Sequence, residues 1–292
     1  MKNIVLSASR RTDIPAFYMP WFMEGIARGE FEVVNPYSRK ATRIPATTPP
    51  VHTIVFWSKN FGPFIDGGYG PRLQKMGYHL FFQFTITSED RVLEPGVPPL
   101  AARIEQLRHL CATYGPRAVN WRFDPVCLFR RNGGEIRDNL GDVTRIATAA
   151  AAAGIRRCTA SIMDDYPKIG RRTSGLAGFA FVEVGLAEQA TVLLRMEALL
   201  AARGIRLFAC CEKELLAALP AGSTVQAGAC IPSGLLMELF GGQLSLRHDT
   251  GQRVRAGCEC RVAVDIGSYH LHPCGHGCLY CYASPTAKKP EA

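Results

Sequence analysis

His79-Leu-Phe-Phe-Gln-Phe-Thr-Ile86, a helical pattern over 100–114 and Ala118-Val-Asn-Trp-Arg-Phe123 make one β-α-β unit in the sequence. Both outer runs are short, apolar and aromatic, as buried strands are, and Gly115 stops the helix between them. The alternation continues on either side. Candidate strands lie at 4–7, 53–57, 157–162, 206–210 and 224–229, with a weaker eighth at 262–266. Helical patterns occupy 18–28, 139–153, 183–203, 213–219 and 232–240, with Gly154 and Gly204 after two of them. Alternating β and α predicts a parallel sheet. Eight such strands predict an α/β fold of (β/α)8 type, a TIM-like barrel, whole or partial. A doubly wound open sheet is the alternative. Residues 92–99 carry three prolines and read as a loop. From Leu244 onward the chain is rich in Gly and Cys, with little helix signal. The expected organisation is therefore a barrel over 1–243 and a cysteine-rich, cluster-binding extension over 244–292, packed on the barrel.

In such a barrel, function sits at the C-terminal ends of the strands. Strand one ends in Ser9-Arg10-Arg11-Thr12-Asp13 and strand two in Lys59-Asn60. Later strands end in Thr85-Ile86-Thr87, Arg122-Phe123-Asp124-Pro125, Asp164-Asp165-Tyr166, Cys210-Cys211-Glu212 and Cys230. Nearly every strand thus delivers a polar group to one rim. Arg10 and Arg11 suit a bidentate grip on phosphate or carboxylate. Lys59 adds a cation, Asn60 an amide and Asp13 a carboxylate. Arg122 and Asp124 lie two apart on a strand and so point the same way. They read as a catalytic pair aimed into the mouth, or as a buried ion pair that holds the rim together.

Cys274-Gly-His-Gly-Cys278-Leu-Tyr-Cys281 places three thiols in eight residues. A four-iron cluster has four corners, normally all filled by cysteine thiolates. Three cysteines in a tight loop leave one iron open to a small molecule. When that molecule is S-adenosylmethionine, the group starts radical chemistry. Zinc is the rival: Cys278 and Cys281 form a Cys-x2-Cys pair, which Cys258 or Cys260 would complete. Tyr280 is placed to pack on an adenine ring or in the core. His272 and His276 read as ordinary loop histidines. A second set, Cys211, Cys230, Cys258 and Cys260, suits a fully ligated auxiliary cluster, with Cys210 as a substitute for Cys211. The alternatives are buried free thiols and one zinc.

The remaining composition sets bounds. The chain has 292 residues, 47% hydrophobic and 20% charged, which is ordinary for a globular protein. Eleven cysteines without a recognisable export signal point to metal or redox roles in the cytoplasm, not to disulfides. No apolar stretch is long enough to span a membrane. A net charge of +9 favours an anionic partner, a small molecule or a nucleic acid. Asn132-Gly133-Gly134-Glu135 resembles a stretch that binds the amino group of S-adenosylmethionine in many radical enzymes, but its place relative to the cysteine loop makes it a surface turn.

Taken together, the motifs resemble the DUF1848 family. The matching pieces are Ser7-Ala-Ser-Arg-Arg-Thr-Asp-Ile-Pro15, Phe56-Trp-Ser-Lys-Asn60, Phe82-Gln-Phe-Thr-Ile-Thr87, Trp121-Arg-Phe-Asp-Pro125 and Asp265-Ile-Gly with the cysteine loop. Trp-Ser-Lys-Asn and Arg-Phe-Asp-Pro are also similar to parts of spore photoproduct lyase and its radical S-adenosylmethionine relatives. In those relatives the cysteine loop lies near the first strand; here it comes late, which implies a permuted arrangement. The resemblance carries over the three loop cysteines, with Arg122 and Asp124. The resulting expectation is a cytoplasmic radical S-adenosylmethionine enzyme with a [4Fe-4S] cluster on Cys274, Cys278 and Cys281. It forms a 5′-deoxyadenosyl radical, acts on an anionic substrate and draws electrons from a donor such as flavodoxin or ferredoxin. The alternatives are a photoproduct-lyase-like nucleic-acid repair or modification protein and a non-catalytic zinc-binding module.

Overall fold

Eight parallel strands cross one sheet in the computed structural model, which describes residues 3–34, 40–48 and 50–283. They are β1 (Ile4–Ala8), β2 (Val51–Ser58), β3 (His79–Thr85), β4 (Val119–Val126), β5 (Arg157–Ile162), β6 (Arg206–Ala209), β7 (Gln226–Ala227) and β8 (Val264–Asp265). From β1 to β7 each strand pairs in parallel with the next. β8 does not follow β7 in space. It pairs with the free side of β1, with Leu6 opposite Val264 and Ser7 opposite Asp265. Each expected strand is present, and the order is that of a ring. Among the described residues no strand pairing joins β7 to β8, so the sheet stays open at that seam. Both seam strands are only two residues long. Across the gap the Arg261 N–H bonds the Ile231 carbonyl (3.1 Å), and Cys230, Ile231, Leu236, Cys258 and Cys260 pack together with Val5, Val55 and Phe81.

Strand burial explains the apolar runs. In β2 every residue but Trp57 is buried, and in β3 the five residues Leu80–Phe84 are. One face of these strands meets the helices: Phe56, Phe61, Phe64, Phe82 and Phe84 interlock there, with Phe56 and Phe82 centroids 6.2 Å apart. The other face points inward, where Asn120 Nδ2 donates to Gln83 Oε1 (2.7 Å) and Gln83 Nε2 donates to the Cys230 carbonyl (2.5 Å). A side chain of β3 thus reaches the end of β7, which requires a curled sheet.

The helix Leu100–Tyr114 occupies the predicted residues, and Gly115 follows at φ 83°. Several short elements carried no periodic signal. They are the hairpin Glu30–Val34 with Ala41–Pro45, the small sheet Phe179–Phe181, Leu128–Arg131 and Arg137–Asp138, and the helices Gly62–Asp66, Tyr69–Lys75 and Pro167–Thr173. The Asn132-Gly133-Gly134 segment is a turn, closed by the Gly134 N–H on the Arg131 carbonyl (3.0 Å). Among the described residues no helix is long and apolar enough to cross a membrane.

Candidate functional site

The C-terminal ends of the strands and the late cysteine segments enclose one cavity of about 290 Å³. Its wall includes Cys274, Cys278 and Cys281 together with Cys211, Cys230, Cys258 and Cys260. The two sets, read separately in the sequence, therefore face a common space. Cys210 joins the second set, its Sγ 3.6 Å from Cys230 Sγ and 3.7 Å from Cys211 Sγ. The Cys230 N–H donates to Cys260 Sγ (3.2 Å). Hydrogen bonds from Cys230 and Cys258, with Arg10 nearby, hold the Cys260 thiol far below its usual range. Burial pushes the Cys274 thiol up to about 12 and Cys278 well above its usual value.

The loop of Cys274 to Cys281 is held mainly through its backbone. Arg172, from the helix Pro167–Thr173, donates to the carbonyls of Cys278 (3.0 Å), Leu279 (2.7 Å) and Cys281 (2.9 Å). The Gly96 N–H donates to the His276 carbonyl (2.9 Å), and the Leu279 N–H to the Leu93 carbonyl (2.9 Å). The buried His276 ring sits between two acceptors, Asp13 Oδ2 (2.8 Å) and the Gly96 carbonyl (3.1 Å). Asp13 also accepts from Ser58 Oγ (2.9 Å), the Lys59 N–H (2.9 Å) and the Ala16 N–H (3.0 Å). It lines the cavity as expected, but its oxygens join β1, β2 and the cysteine loop to one another. The expected loop histidines are both committed: His272 takes the Ser268 N–H (3.3 Å) and packs on Trp21 (4.1 Å).

The basic rim also lines the cavity, Asn60 excepted. Asn60 Oδ1 turns away, accepting from the Gly62 N–H (3.0 Å) and Gln106 Nε2 (2.9 Å). Lys59 Nζ donates to Glu94 Oε1 (2.8 Å), which also accepts from Thr87 Oγ1 (2.6 Å) and the Tyr280 hydroxyl, while Arg103 lies 3.7 Å from Oε2. Tyr280 lines the cavity, and its hydroxyl is tied into this buried charged network. Arg11 Nη1 donates to the Gly267 carbonyl (3.0 Å). Arg122 Nη1 donates to Cys230 Sγ (2.7 Å), and its Nη2 is paired with Asp124, which in turn accepts from Ser161. Arg10 stands 3.8 Å from Asp249, and its buried Nη2 has no hydrogen-bond partner. Glu94, Arg103 and Arg172 escaped sequence reading. Glu94 lies inside the proline-rich loop, Arg103 inside a helix, and no local pattern marks any of the three.

The donor set fits iron–sulfur groups. Thiols predominate, in a pair of sets of three and four, and buried guanidiniums stand against the second set to balance thiolate charge. The orphaned Nη2 of Arg10 leaves a donor for a further acceptor at the same wall. Among the described residues no three His, Cys, Asp or Glu side chains close around a single-ion position. No curated protein matches the chain. Residues 5–283 match the family described as Domain of unknown function (DUF1848), and the chain belongs to that family.

Proposed function

We propose that this DUF1848 member is an iron–sulfur enzyme of radical S-adenosylmethionine type acting on an anionic substrate. The observation that carries the reading is the meeting of the three-cysteine loop, the four-cysteine set and the basic rim on one cavity. On this reading the open sheet is a (β/α)8-type barrel left unclosed between β7 and β8. Cys274, Cys278 and Cys281 would hold a [4Fe-4S] cluster with one open iron, and Cys211, Cys230, Cys258 and Cys260 an auxiliary one. A cluster held by these three cysteines would supply, with S-adenosylmethionine and an external electron, reductive cleavage of that cofactor and so radical chemistry.

The protein's own part is to hold and to shield. Arg172, Gly96 and His276 fix the backbone that carries the three thiols. Burial of Cys278 and Tyr280 keeps water from that wall. The buried Nη2 of Arg10, which has no hydrogen-bond partner, would be free to hold an anionic group. Thiolate ligation suits a reducing cytoplasm, where a flavodoxin or ferredoxin serves as electron donor.

Anaerobic reconstitution followed by electron paramagnetic resonance, with and without S-adenosylmethionine, tests the reading. A four-iron signal that changes on addition of the cofactor supports it. Zinc without iron or acid-labile sulfide would return the protein to the binding-module class. Cys278→Ala should abolish cleavage of the cofactor, measured as 5′-deoxyadenosine released; full cleavage by that variant rejects the assignment.

A further inference from the structure

We infer that Arg122 and Arg10 are positioning residues that set the charge, and with it the reduction potential, of the group held at the open seam. The inference rests on the reading that Cys211, Cys230, Cys258 and Cys260 hold an iron–sulfur cluster. The sequence suggests a different use for these arginines, a catalytic pair and an anion grip, and the structure leaves little room for it in Arg122. Both of its terminal nitrogens are engaged, Nη1 on Cys230 Sγ at 2.7 Å and Nη2 on Asp124. The side chain is only 9% exposed, so no fork remains for a substrate.

Its position is unusual for a rim arginine. Arg122 belongs to β4, yet its partner thiol follows β7, so the guanidinium crosses the inside of the curled sheet. Arg10 comes from the end of β1 to the same cavity wall that carries Cys230 and Cys260. Both guanidiniums lie against the Trp57 ring, at 5.0 and 5.2 Å from its centroid. The indole is itself fixed by its N–H on Ser7 Oγ (3.0 Å). Other charges nearby are Asp124 on Arg122, and Asp249 and Asp265 on Arg10. Two cations, Arg122 on a thiol and Arg10 on the same wall, are therefore held at fixed positions.

A cluster ligated by four thiolates is anionic, and one-electron reduction adds a further negative charge. A fixed cation stabilises the reduced form more than the oxidised one, and hydrogen bonds to sulfur act in the same direction. Removing either guanidinium should therefore make reduction harder without removing a ligand.

The test uses the full chain carrying Cys278→Ala, which leaves the four-thiol set as the one to be titrated. Arg122→Gln, Arg10→Gln and Arg122→Lys are added in turn. Each protein is reconstituted anaerobically, assayed for iron and sulfide, and titrated with dithionite under paramagnetic resonance. Arg122→Gln and Arg10→Gln should retain iron and shift to more negative potential. The reduced-to-oxidised ratio at fixed poise should fall about tenfold, which is about 59 mV for a one-electron couple. Arg122→Lys, which keeps the charge, should recover most of the shift. Loss of iron from Arg122→Gln but not from Arg122→Lys equally supports a required counter-charge. Unmoved potentials with iron retained overturn the inference, as does equal loss of iron from both Arg122 variants. Iron that is absent from the Cys278→Ala chain, or that survives further Cys230→Ser and Cys260→Ser changes, instead removes the four-thiol reading on which it rests.

Discussion

Glu94 shows what a single residue can do at this site without carrying chemistry. It is 3% exposed and faces Lys59, Arg103, Thr87 and Tyr280. Burial alone would raise its carboxyl, but Lys59 and Arg103 outweigh burial and hold it below the usual carboxylate range. Glu94→Gln leaves two buried cations uncompensated and should cost about 3–5 kcal/mol, read as a lower urea midpoint at neutral pH. The sign of the pH effect follows from the lowered value. The carboxylate stabilises the fold above the unfolded-state value of about 4.3, and that contribution is lost as pH falls toward the folded one. Between about pH 6 and pH 3 the wild-type midpoint should therefore drop further than that of Glu94→Gln; parallel curves would rule this out. None of this was legible locally, because the partners Lys59 and Tyr280 are 35 and 186 residues away. The cysteine loop and the Arg122–Asp124 pair were legible, because spacing along the chain alone defines them.

Among the elements, the long ones announced themselves. Leu100–Tyr114 spans four turns, long enough for its apolar period to stand out, and glycine marks its end. Gly62–Asp66 and Tyr69–Lys75 run five and seven residues, with proline and glycine inside or between them, so no period develops. The loop between β3 and that long helix was read as a connection, and it is a clamp. A Cβ on Gly96 would stand 2.8 Å from the carbonyl oxygens of Gly275 and His276, backbone that cannot step aside. Gly96→Val should therefore displace the three-cysteine loop while sparing the seam. After anaerobic reconstitution the variant should keep part of its iron and lose any response to S-adenosylmethionine. Wild-type iron content with an unchanged response would show that the loop tolerates the push.

For the molecule as a whole, strand order was readable and closure was not. β7 and β8 are two residues each, too short for a pattern to say whether they pair. β8 and its Asp265, from beyond residue 243, belong to the sheet. Asp265 accepts from Ser7 Oγ (2.9 Å), Ser9 Oγ (2.5 Å) and the Arg10 N–H (2.7 Å). A chain ending at residue 243 should therefore lack a stable sheet, seen as rapid proteolysis within β1 and a non-cooperative melt; a cooperative melt near that of the full chain would contradict this. The pairing of Ser7 with Asp265 also sets a timetable for biosynthesis. A nascent chain emerges from its N-terminal end, and its early segments begin to fold as they appear. β1 gains its outer neighbour only after some 258 further residues have left the ribosome. Until then that edge stays unpaired and the rim has no thiol loop, so completion of the sheet and completion of the rim arrive together.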